Sequence, residues 1–421
     1  MSKTFRHSSF SSFSYLVITL CFGLFSCSRV TKLIDNKPTS LGKEKTQSST
    51  GVDHSLNENT QKRETTLING LEKKVPVKES EVEENMASHK SLEIKESGKK
   101  KSTSKYPSLT REEKEHILAD YCEKVEKTFT RYGWGKSNCQ NYAWKFVRTS
   151  VKGEPLLWRT YGQPAENEAE TEITLIMCGV HGDEITPIKF CYDVLDYMEK
   201  VTEGSISDPH TGKKASLKGK LVIVAPLVNP DSYFIKKPTR TNANGVDVNR
   251  NFPTYDFVKS AMKSWVSRYR KDKRRYPGTK AMSEPETIFQ VNLIYRYQPD
   301  KIISVHAPLS MLDYDGPASE HTGGIVGSRA NQLLIRMSEQ AKGYRIKNYP
   351  FFPGSLGNYA GNERNIPTFT LELPTSDPGK TSSYWALFKD SIHSAVMHEI
   401  KGEGFVALDR DVKPLNGTRS N

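Results

Sequence analysis

The sequence has few cysteines, and their number and spacing argue against a disulfide-held scaffold and against a structural zinc site. Six cysteines occur in 421 residues, too few for a scaffold held together mainly by disulfides. None of them forms a CxxC pair, so a structural zinc site of that type is not indicated. Cys122 and Cys139 flank the start of the predicted folded region and could pair in an oxidising compartment. Cys178 and Cys191 lie in apolar runs, where buried free thiols are equally well supported.

The N-terminal apolar run Tyr15–Phe25 is too short to span a bilayer. Basic residues precede it, and the arrangement suits the h-region of an export signal. The ending Leu24-Phe25-Ser26-Cys27 resembles a bacterial lipobox, in which Cys27 would become a lipidated N-terminus; a plain cleavable signal is the alternative. Ser28 after the cysteine favours the outer membrane. We therefore expect a periplasmic protein of the bacterial envelope, anchored to the membrane by lipid.

Motifs for nucleic-acid binding are also missing, although the net charge is +12. The basic runs Lys99–Lys101 and Lys271–Arg275 are not accompanied by an RNP, zinc-finger or helix-turn-helix pattern. We therefore expect no nucleic-acid partner. Solvated lysines that favour contact with anionic envelope polymers explain the charge better.

The apolar residues are unevenly distributed, and their distribution predicts four parts of the chain. A content of 36% hydrophobic and 10% aromatic residues is enough for a core. Residues 28–108 are mostly Lys, Glu, Ser, Thr and Asn, which predicts a disordered polar tether. The predicted parts are a signal peptide (1–27), this tether (28–108), a catalytic domain (109–409) and a C-terminal tail (410–421).

Buried strands alternate with helices in the second half of the chain. Near-continuous apolar and β-branched runs predict strands buried on both faces, and apolar residues at helical spacing predict the helices between them. Ser283 with Glu286 suggests a capping box for one helix. The pattern predicts an α/β three-layer sandwich with a mixed, mostly parallel central sheet. The predicted strands are Thr171–Gly179, Lys220–Leu227, Lys301–Val305 and Thr368–Leu373, and the predicted helices are Asp183–Lys200, the one after Ser283, Asn331–Lys342 and Ser382–Ile400.

Chemically reactive side chains follow three of these strands. His181 and Glu184, in the stretch VHGDE, come just after the first strand, His306 follows the third, and Glu372 ends the last. Functional groups gather at the carboxyl ends of strands in such sheets. A lone HxxE is a weak signal, but two imidazoles and two carboxylates at three strand ends form a constellation. Two histidines and one carboxylate are a known zinc ligand set that leaves a position open for water.

The run Thr239–Pro253 (TRTNANGVDVNRNFP) resembles the signature of the zinc carboxypeptidase family, together with HGDE and Leu371–Leu373. The stretches SEPET, HAPL, PGS and ELP resemble the murein tripeptide amidase branch, whose members cut the amide between γ-D-glutamate and meso-diaminopimelate. The resemblance covers roughly residues 138–409. It implies one zinc ion, held by His181, Glu184 and His306.

The resemblance also implies roles for other residues. Asp247 matches the carboxylate that orients a zinc-binding histidine, and Glu372 matches the general base. Arg240 matches the arginine that stabilises the tetrahedral oxyanion. Asn249 and Arg250 match the pair that grips a free carboxylate, which suits the fork of arginine.

Three further assignments stay open in the sequence. Tyr349 is the candidate for the tyrosine that closes over substrate, with Tyr344 and Tyr359 nearby. Asp313 or Asp315 is a candidate to meet the ammonium of diaminopimelate, although either could be an ordinary loop carboxylate. The basic stretch 258–280 could reshape the entrance.

The expected partner is therefore a peptidoglycan stem peptide, and two alternatives remain. A carboxypeptidase for protein C-termini, or for other muropeptide bonds, would share the zinc site and differ only in its pocket. A non-catalytic envelope-binding lipoprotein would lack a ligand or the base, and neither is missing from the sequence.

Overall fold

The computed structural model describes residues 109–209, 211–317, 325–347 and 349–401. The predicted signal peptide with Cys27, the predicted tether and the predicted tail lie outside these residues. Within the described part of the chain, none of the helices is both long and apolar enough to cross a membrane.

A seven-stranded sheet forms the centre of the domain, in the order β1-β3-β2-β4-β7-β5-β6. Strands β3, β2, β4 and β7 run parallel, β1 is antiparallel to β3, and β5 is antiparallel to β7 and parallel to β6. The prediction of a mixed, mostly parallel sheet is confirmed. The strands are β1 (Arg159–Gln163), β2 (Glu172–Met177), β3 (Lys220–Ala225), β4 (Lys301–His306), β5 (Met311–Tyr314), β6 (Ile346–Lys347) and β7 (Thr368–Glu372).

Helices cover both faces of the sheet. Those with predicted counterparts are α2, α5, α6 and α7, and their observed bounds lie within a few residues of the prediction except at the start of α6, which begins earlier. The helices are α1 (Arg111–Tyr132), α2 (Ile185–Thr202), α3 (Pro230–Tyr233), α4 (Met262–Ser267), α5 (Pro285–Tyr297), α6 (Ile325–Gln340) and α7 (Thr381–Met397). Two π-helical segments, Phe257–Ala261 and Gly357–Asn362, occur beside them.

Alternate residues of the central strands enter two separate cores. Ile176 of β2 and Val224 of β3 belong to the core beneath α1, α2, α6 and α7. Leu175 and Ile223, their neighbours along the chain, belong to the core beneath α5. Because successive side chains of a strand point to opposite faces, this division confirms the three-layer arrangement.

The capping box predicted for α5 is wrong. The helix begins at Pro285, and the residue before it, Glu284, makes no side-chain capping bond. Ser283 Oγ instead donates to Glu284 Oε1 (2.6 Å), and Glu286 Oε2 accepts from Asn242 Nδ2 (2.8 Å). The two buried carboxylates therefore hold the loop that contains Asn242, since Asn242 Nδ2 also donates to Glu284 Oε2 (2.6 Å).

Two disulfides stabilise the domain. The bond between Cys122 and Cys139 confirms one pairing that the sequence permits and joins α1 to the segment after it. Cys178 and Cys191 also form a disulfide, so the free thiols that the sequence supported equally well are not formed. Their apolar surroundings correctly indicated burial, but burial does not exclude a partner that the fold brings close.

Candidate active site

Two imidazoles and one carboxylate meet at the carboxyl ends of β2 and β4. His181 lies after β2, Glu184 is the residue before α2, and His306 is the last residue of β4. Their ligand atoms all lie within 4.8 Å of one another, and all three residues are buried. Among the residues that the structure describes, no other group of this kind is found. The fold therefore brings the three predicted ligands together.

Both rings present the same nitrogen to the shared carboxylate. His181 Nδ1 lies 2.8 Å from Glu184 Oε1, and His306 Nδ1 lies 2.9 Å from Glu184 Oε2. Burial alone would raise the pKa of Glu184, but the charges of the two imidazoles outweigh it and hold the pKa well below its usual value. The carboxylate is therefore ionised, which is the form that binds a metal.

The outer nitrogen of each ring also has a partner. His181 Nε2 lies 3.1 Å from Asp247 Oδ1, as the resemblance implied. His306 Nε2 lies 2.9 Å from Ser304 Oγ, a contact that sequence reasoning missed. The signal was available, because Ser304 precedes His306 by two residues in a strand and shares its face. Such partners fix the orientation of metal-binding imidazoles.

Asp247 links the histidine to the loop that carries the other predicted residues. Its Oδ2 accepts from Arg240 Nε (3.0 Å), and its Oδ1 accepts from the backbone N–H of Asn249 (3.0 Å). Burial would raise the pKa of Asp247, but the charges of Arg240 and His181 hold it well below the usual value. Arg240 Nη1 also donates to Glu184 Oε1 (3.1 Å), so this arginine lies at the ligand cluster itself.

Glu372 lies on β7, the strand next to β4, opposite His306 of the ligand cluster. It is the last residue of β7, and its Cα pairs with that of His306 in the register of β4 and β7. The backbone N–H of Leu309 donates to Glu372 Oε2 (3.3 Å). Burial raises the pKa of this carboxyl above its ordinary value. A raised pKa makes the Glu372 carboxylate a better proton acceptor, which suits a general base beside the ligands.

Asn249 and Arg250 lie where the loop passes a glycine-containing turn. Asn249 Oδ1 accepts from the backbone N–H of Leu356 (2.8 Å). Gly354 has a φ of +73°, and a Cβ at this position would lie 2.2 Å from the backbone oxygen of Arg250. Only glycine allows this close approach, which explains the glycine in the PGS stretch.

The guanidinium of Arg250 is buried but not saturated with hydrogen bonds. It lies over the ring of Phe352 at 4.7 Å, and its Nη1 donates to the backbone oxygen of Asn249 (2.6 Å). Its Nε has no partner among the described residues. Burial lowers the pKa of Arg250. A buried cation with a spare donor is suited to bind an anion that the chain itself does not supply.

The three candidate tyrosines have different surroundings. The hydroxyl of Tyr344 donates to the backbone oxygen of Glu372 (2.8 Å), and Tyr359 is buried beneath Arg364. Tyr349 is 44% exposed, and its backbone N–H donates to Asp313 Oδ1 (2.9 Å). Of the three, Tyr349 has the exposure that a closing residue needs, and its role stays a prediction.

Asp313, which is buried, and Asp315, which is half-buried, form an acidic pair beside β7. Asp313 lies opposite Thr370 in the register of β5 and β7, and Thr370 Oγ1 donates to Asp315 Oδ2. Burial, together with the charge of Asp315, raises the pKa of Asp313 to about 7. The predicted contact of either residue with an ammonium group stays a prediction.

The basic stretch 258–280 lies against the ligand segment. Arg274 Nη1 donates to Asp183 Oδ2 (2.6 Å), and Asp183 precedes Glu184 directly. The backbone N–H of Asp247 donates to the oxygen of Tyr276 (2.8 Å). The stretch therefore borders the candidate active site.

The donor set of the cluster fits zinc. Two neutral imidazole nitrogens and one carboxylate oxygen form a ligand set found in catalytic zinc sites, where three protein ligands leave a coordination position open. His181, Glu184 and His306 are the residues that would hold the ion.

Comparison with known proteins agrees with this chemistry. Residues 137–380 match the family model described as zinc carboxypeptidase. The chain belongs to the zinc carboxypeptidase family, and it is therefore a hydrolytic enzyme that uses one zinc ion.

Two of the relatives are bacterial proteins with the same name. Murein peptide amidase A of Vibrio campbellii is 30% identical over 227 residues, which cover 53% of this chain and 77% of the relative. Murein peptide amidase A of Escherichia coli K12 is 30% identical over 227 residues, covering 53% and 78%. The crystal structure of a murein-tripeptide amidase from Escherichia coli O157 aligns with a TM-score of 0.40 at 26% identity, covering 60% of this chain and 91% of that one.

Proposed function

We propose that the enzyme hydrolyses the amide between γ-D-glutamate and meso-diaminopimelate in peptidoglycan stem peptides. The two relatives described above are named for murein peptides, which supports the substrate class. The observation that carries the proposal is the buried Arg250 guanidinium with its spare Nε donor, on the loop of Asp247, which contacts His181 of the His-Glu-His cluster. Such a group would select substrates whose released residue has a free carboxylate.

The proposed binding contacts hold the diaminopimelate side of the scissile bond. Asn249 and Arg250 would hold the free carboxylate of diaminopimelate, and the ring of Phe352 keeps the guanidinium in place from one face. Asp313 or Asp315 would meet the ammonium group at the other end of this residue. These contacts would fix the amide between Glu372 and Arg240.

The chain's own residues would then move protons and stabilise charge. Zinc, when bound, polarises the scissile carbonyl and lowers the pKa of water. Glu372 would accept a proton from the attacking water and transfer it to the amine as the C–N bond breaks. Arg240 uses Nε and Nη1 to bind Asp247 and Glu184, so its Nη2 would donate to the oxyanion. Tyr349 would close over the bound substrate.

The products of a defined peptide test this function. The purified full chain is incubated with L-Ala-γ-D-Glu-meso-diaminopimelate, and the products are identified by mass spectrometry. We expect L-Ala-D-Glu and free diaminopimelate, with Glu372→Gln as the inactive control. Release of C-terminal residues from ordinary peptides, with the muropeptide left intact, would instead indicate the alternative of a protein carboxypeptidase.

We further propose that the enzyme acts in the bacterial envelope as a lipoprotein anchored through Cys27. Two disulfides in the domain support an oxidising compartment. Metabolic labelling with a radioactive fatty acid should label the native chain and fail to label Cys27→Ser. Equal labelling of both chains would refute the anchor.

A further inference from the structure

A short helical stretch beside the active site carries apolar side chains on its outward side. The π-helix Phe257–Ala261 continues directly into α4 (Met262–Ser267). Val258 is 91% exposed, Met262 37% and Val266 46%. The spacing of four residues places these three side chains on one side of the helical stretch.

Solvent-facing positions of a helix are normally polar, and single exposed apolar residues need no explanation. Here the exposed residues form a row, which Tyr255 (81% exposed) extends at its beginning. Phe257 and Ala261 are buried, so the helical stretch already has an inward apolar side. The outward row is therefore not needed for packing within the domain, and an aligned row of this kind marks an interaction surface.

Basic side chains flank the apolar row. Lys259 and Lys263 follow Val258 and Met262 directly and are exposed. Residues 258–280 contain nine Lys or Arg and one acidic residue, Asp272. Most of the nine basic residues are exposed. A helix with an aliphatic row and basic flanks has the chemistry of a segment that lies in the interface of an anionic bilayer.

We propose that residues 255–267 dock the domain on an anionic phospholipid bilayer. The side chains of Tyr255, Val258, Met262 and Val266 enter the boundary between headgroups and acyl chains, and the neighbouring lysines contact phosphate groups. An acidic wall polymer would also attract the lysines, but it offers no apolar environment for the exposed aliphatic row. The apolar row thus favours the bilayer.

Docking by this surface has a consequence for the active site. Arg268 lies over the ring of Phe352 at 5.0 Å, on which Arg250 also lies. Arg274 contacts Asp183 beside the zinc ligands. The docking surface and the active-site border thus belong to one continuous segment, and the bilayer would lie close to the entrance. The inference does not depend on which peptide bond is cut.

Photo-crosslinking to lipid locates the contact within the full chain. The full chain is mixed with vesicles of phosphatidylcholine and phosphatidylglycerol in which some phosphatidylglycerol carries a photoreactive acyl chain, and labelled peptides are identified by mass spectrometry. We expect labelling within 255–267. In the variant V258D/M262D/V266D, this labelling should fall about tenfold or more, while labelling of the peptide that begins at Cys27 in the same sample provides the internal reference.

Matched variants separate docking from general effects. V147D/I335D introduces charge at two exposed apolar positions elsewhere and should leave the labelling of 255–267 unchanged; both variants are checked for native thermal unfolding. K259E/K263E should weaken labelling, and more so at low ionic strength.

Three results would overturn the proposal. The first is label confined to the peptide that begins at Cys27, with none at 255–267 in the native chain. The second is undiminished labelling of 255–267 in the triple variant. The third is loss of binding to isolated cell-wall sacculi by K259E/K263E with lipid labelling unchanged, which would assign the surface to the wall polymer.

Discussion

His306 and Glu372 lie opposite each other in the register of the parallel strands β4 and β7. The backbone N–H of Leu373 donates to the oxygen of His306 (2.8 Å), so the pairing continues to the ends of the strands. The distance between a proposed zinc ligand and the proposed base is therefore set by the hydrogen bonding of the sheet. Sites built on strands are positioned more accurately than sites built on loops alone.

Removal of both proposed imidazole ligands should abolish zinc binding. We expect His181→Ala/His306→Ala to retain well below one zinc per chain, because a single carboxylate cannot hold the ion. Elemental analysis of the purified protein measures this directly. His116→Ala, at an exposed position on α1, serves as the control and should retain one zinc. Near-stoichiometric zinc in the double variant would mean that other residues bind the metal.

Replacement of the proposed base should separate catalysis from folding. Glu372→Gln keeps the size of the side chain and removes its basicity, so kcat should fall by about 10²–10⁴-fold while zinc content and thermal unfolding stay close to those of the native chain. Glu339→Gln, at an exposed position on α6, controls for the loss of one charge. A decrease in kcat of less than tenfold would show that another group moves the proton.

A conservative change at Arg250 should reveal recognition by its planar fork. Arg250→Lys keeps the positive charge but cannot bind a carboxylate bidentately. We expect KM for the tripeptide to rise about tenfold or more. Arg268→Lys alters the other arginine on the ring of Phe352 and should change KM little. Equal effects of the two substitutions would indicate that Arg250 acts through packing on Phe352.

The strands that carry the site could be predicted because each is a buried, nearly continuous apolar run, and such runs have a signal in the local sequence. Strands β1, β5 and β6 were missed, since Arg159–Gln163 is largely polar and contains a glycine, Met311–Tyr314 contains a buried Asp, and Ile346–Lys347 is only two residues long. Short pairings of this kind depend on the neighbouring strand more than on their own residues.

Side-chain partners were predicted only where a motif fixed them. Asp247 was found through the resemblance of its loop, whereas Ser304 and the bond between Cys178 and Cys191 were not expected. The disulfide depends on how the end of β2 packs against α2, which local sequence does not encode, whereas Ser304 could have been found from the alternation of side chains along β4. The contact of Glu286 also depends on a distant segment. The sequence predicted a capping contact with Ser283, whereas the Glu286 carboxylate accepts a hydrogen bond from Asn242.

The stability of the domain should decrease as pH rises through neutrality, partly because of Glu286. Burial raises its pKa to about 7, from 4.5 for an unperturbed glutamate. Between these values the folded state binds the proton and the unfolded state does not, so the free energy of unfolding falls with increasing pH. In Glu286→Gln, the decrease between pH 5 and pH 8 should be smaller by on the order of 1–3 kcal/mol.

Urea unfolding at several pH values measures the effect of Glu286. Glu339→Gln is again the exposed control and should reproduce the pH dependence of the native chain. An unchanged pH dependence in Glu286→Gln would show that Glu286 titrates alike in both states.

The relative rate of cleavage of two stem peptides tests the proposed function most directly. Purified enzyme is given L-Ala-γ-D-Glu-meso-diaminopimelate and, separately, the same peptide extended by D-Ala, and cleavage of the γ-D-glutamyl bond is followed by mass spectrometry. In the extended peptide an amide replaces the free carboxylate, so the charge-assisted contact with Arg250 is lost. We expect kcat/KM to be about ten- to a hundredfold higher for the tripeptide. Equally fast cleavage of both peptides at this bond would contradict the carboxylate clamp and indicate an endopeptidase with an open cleft.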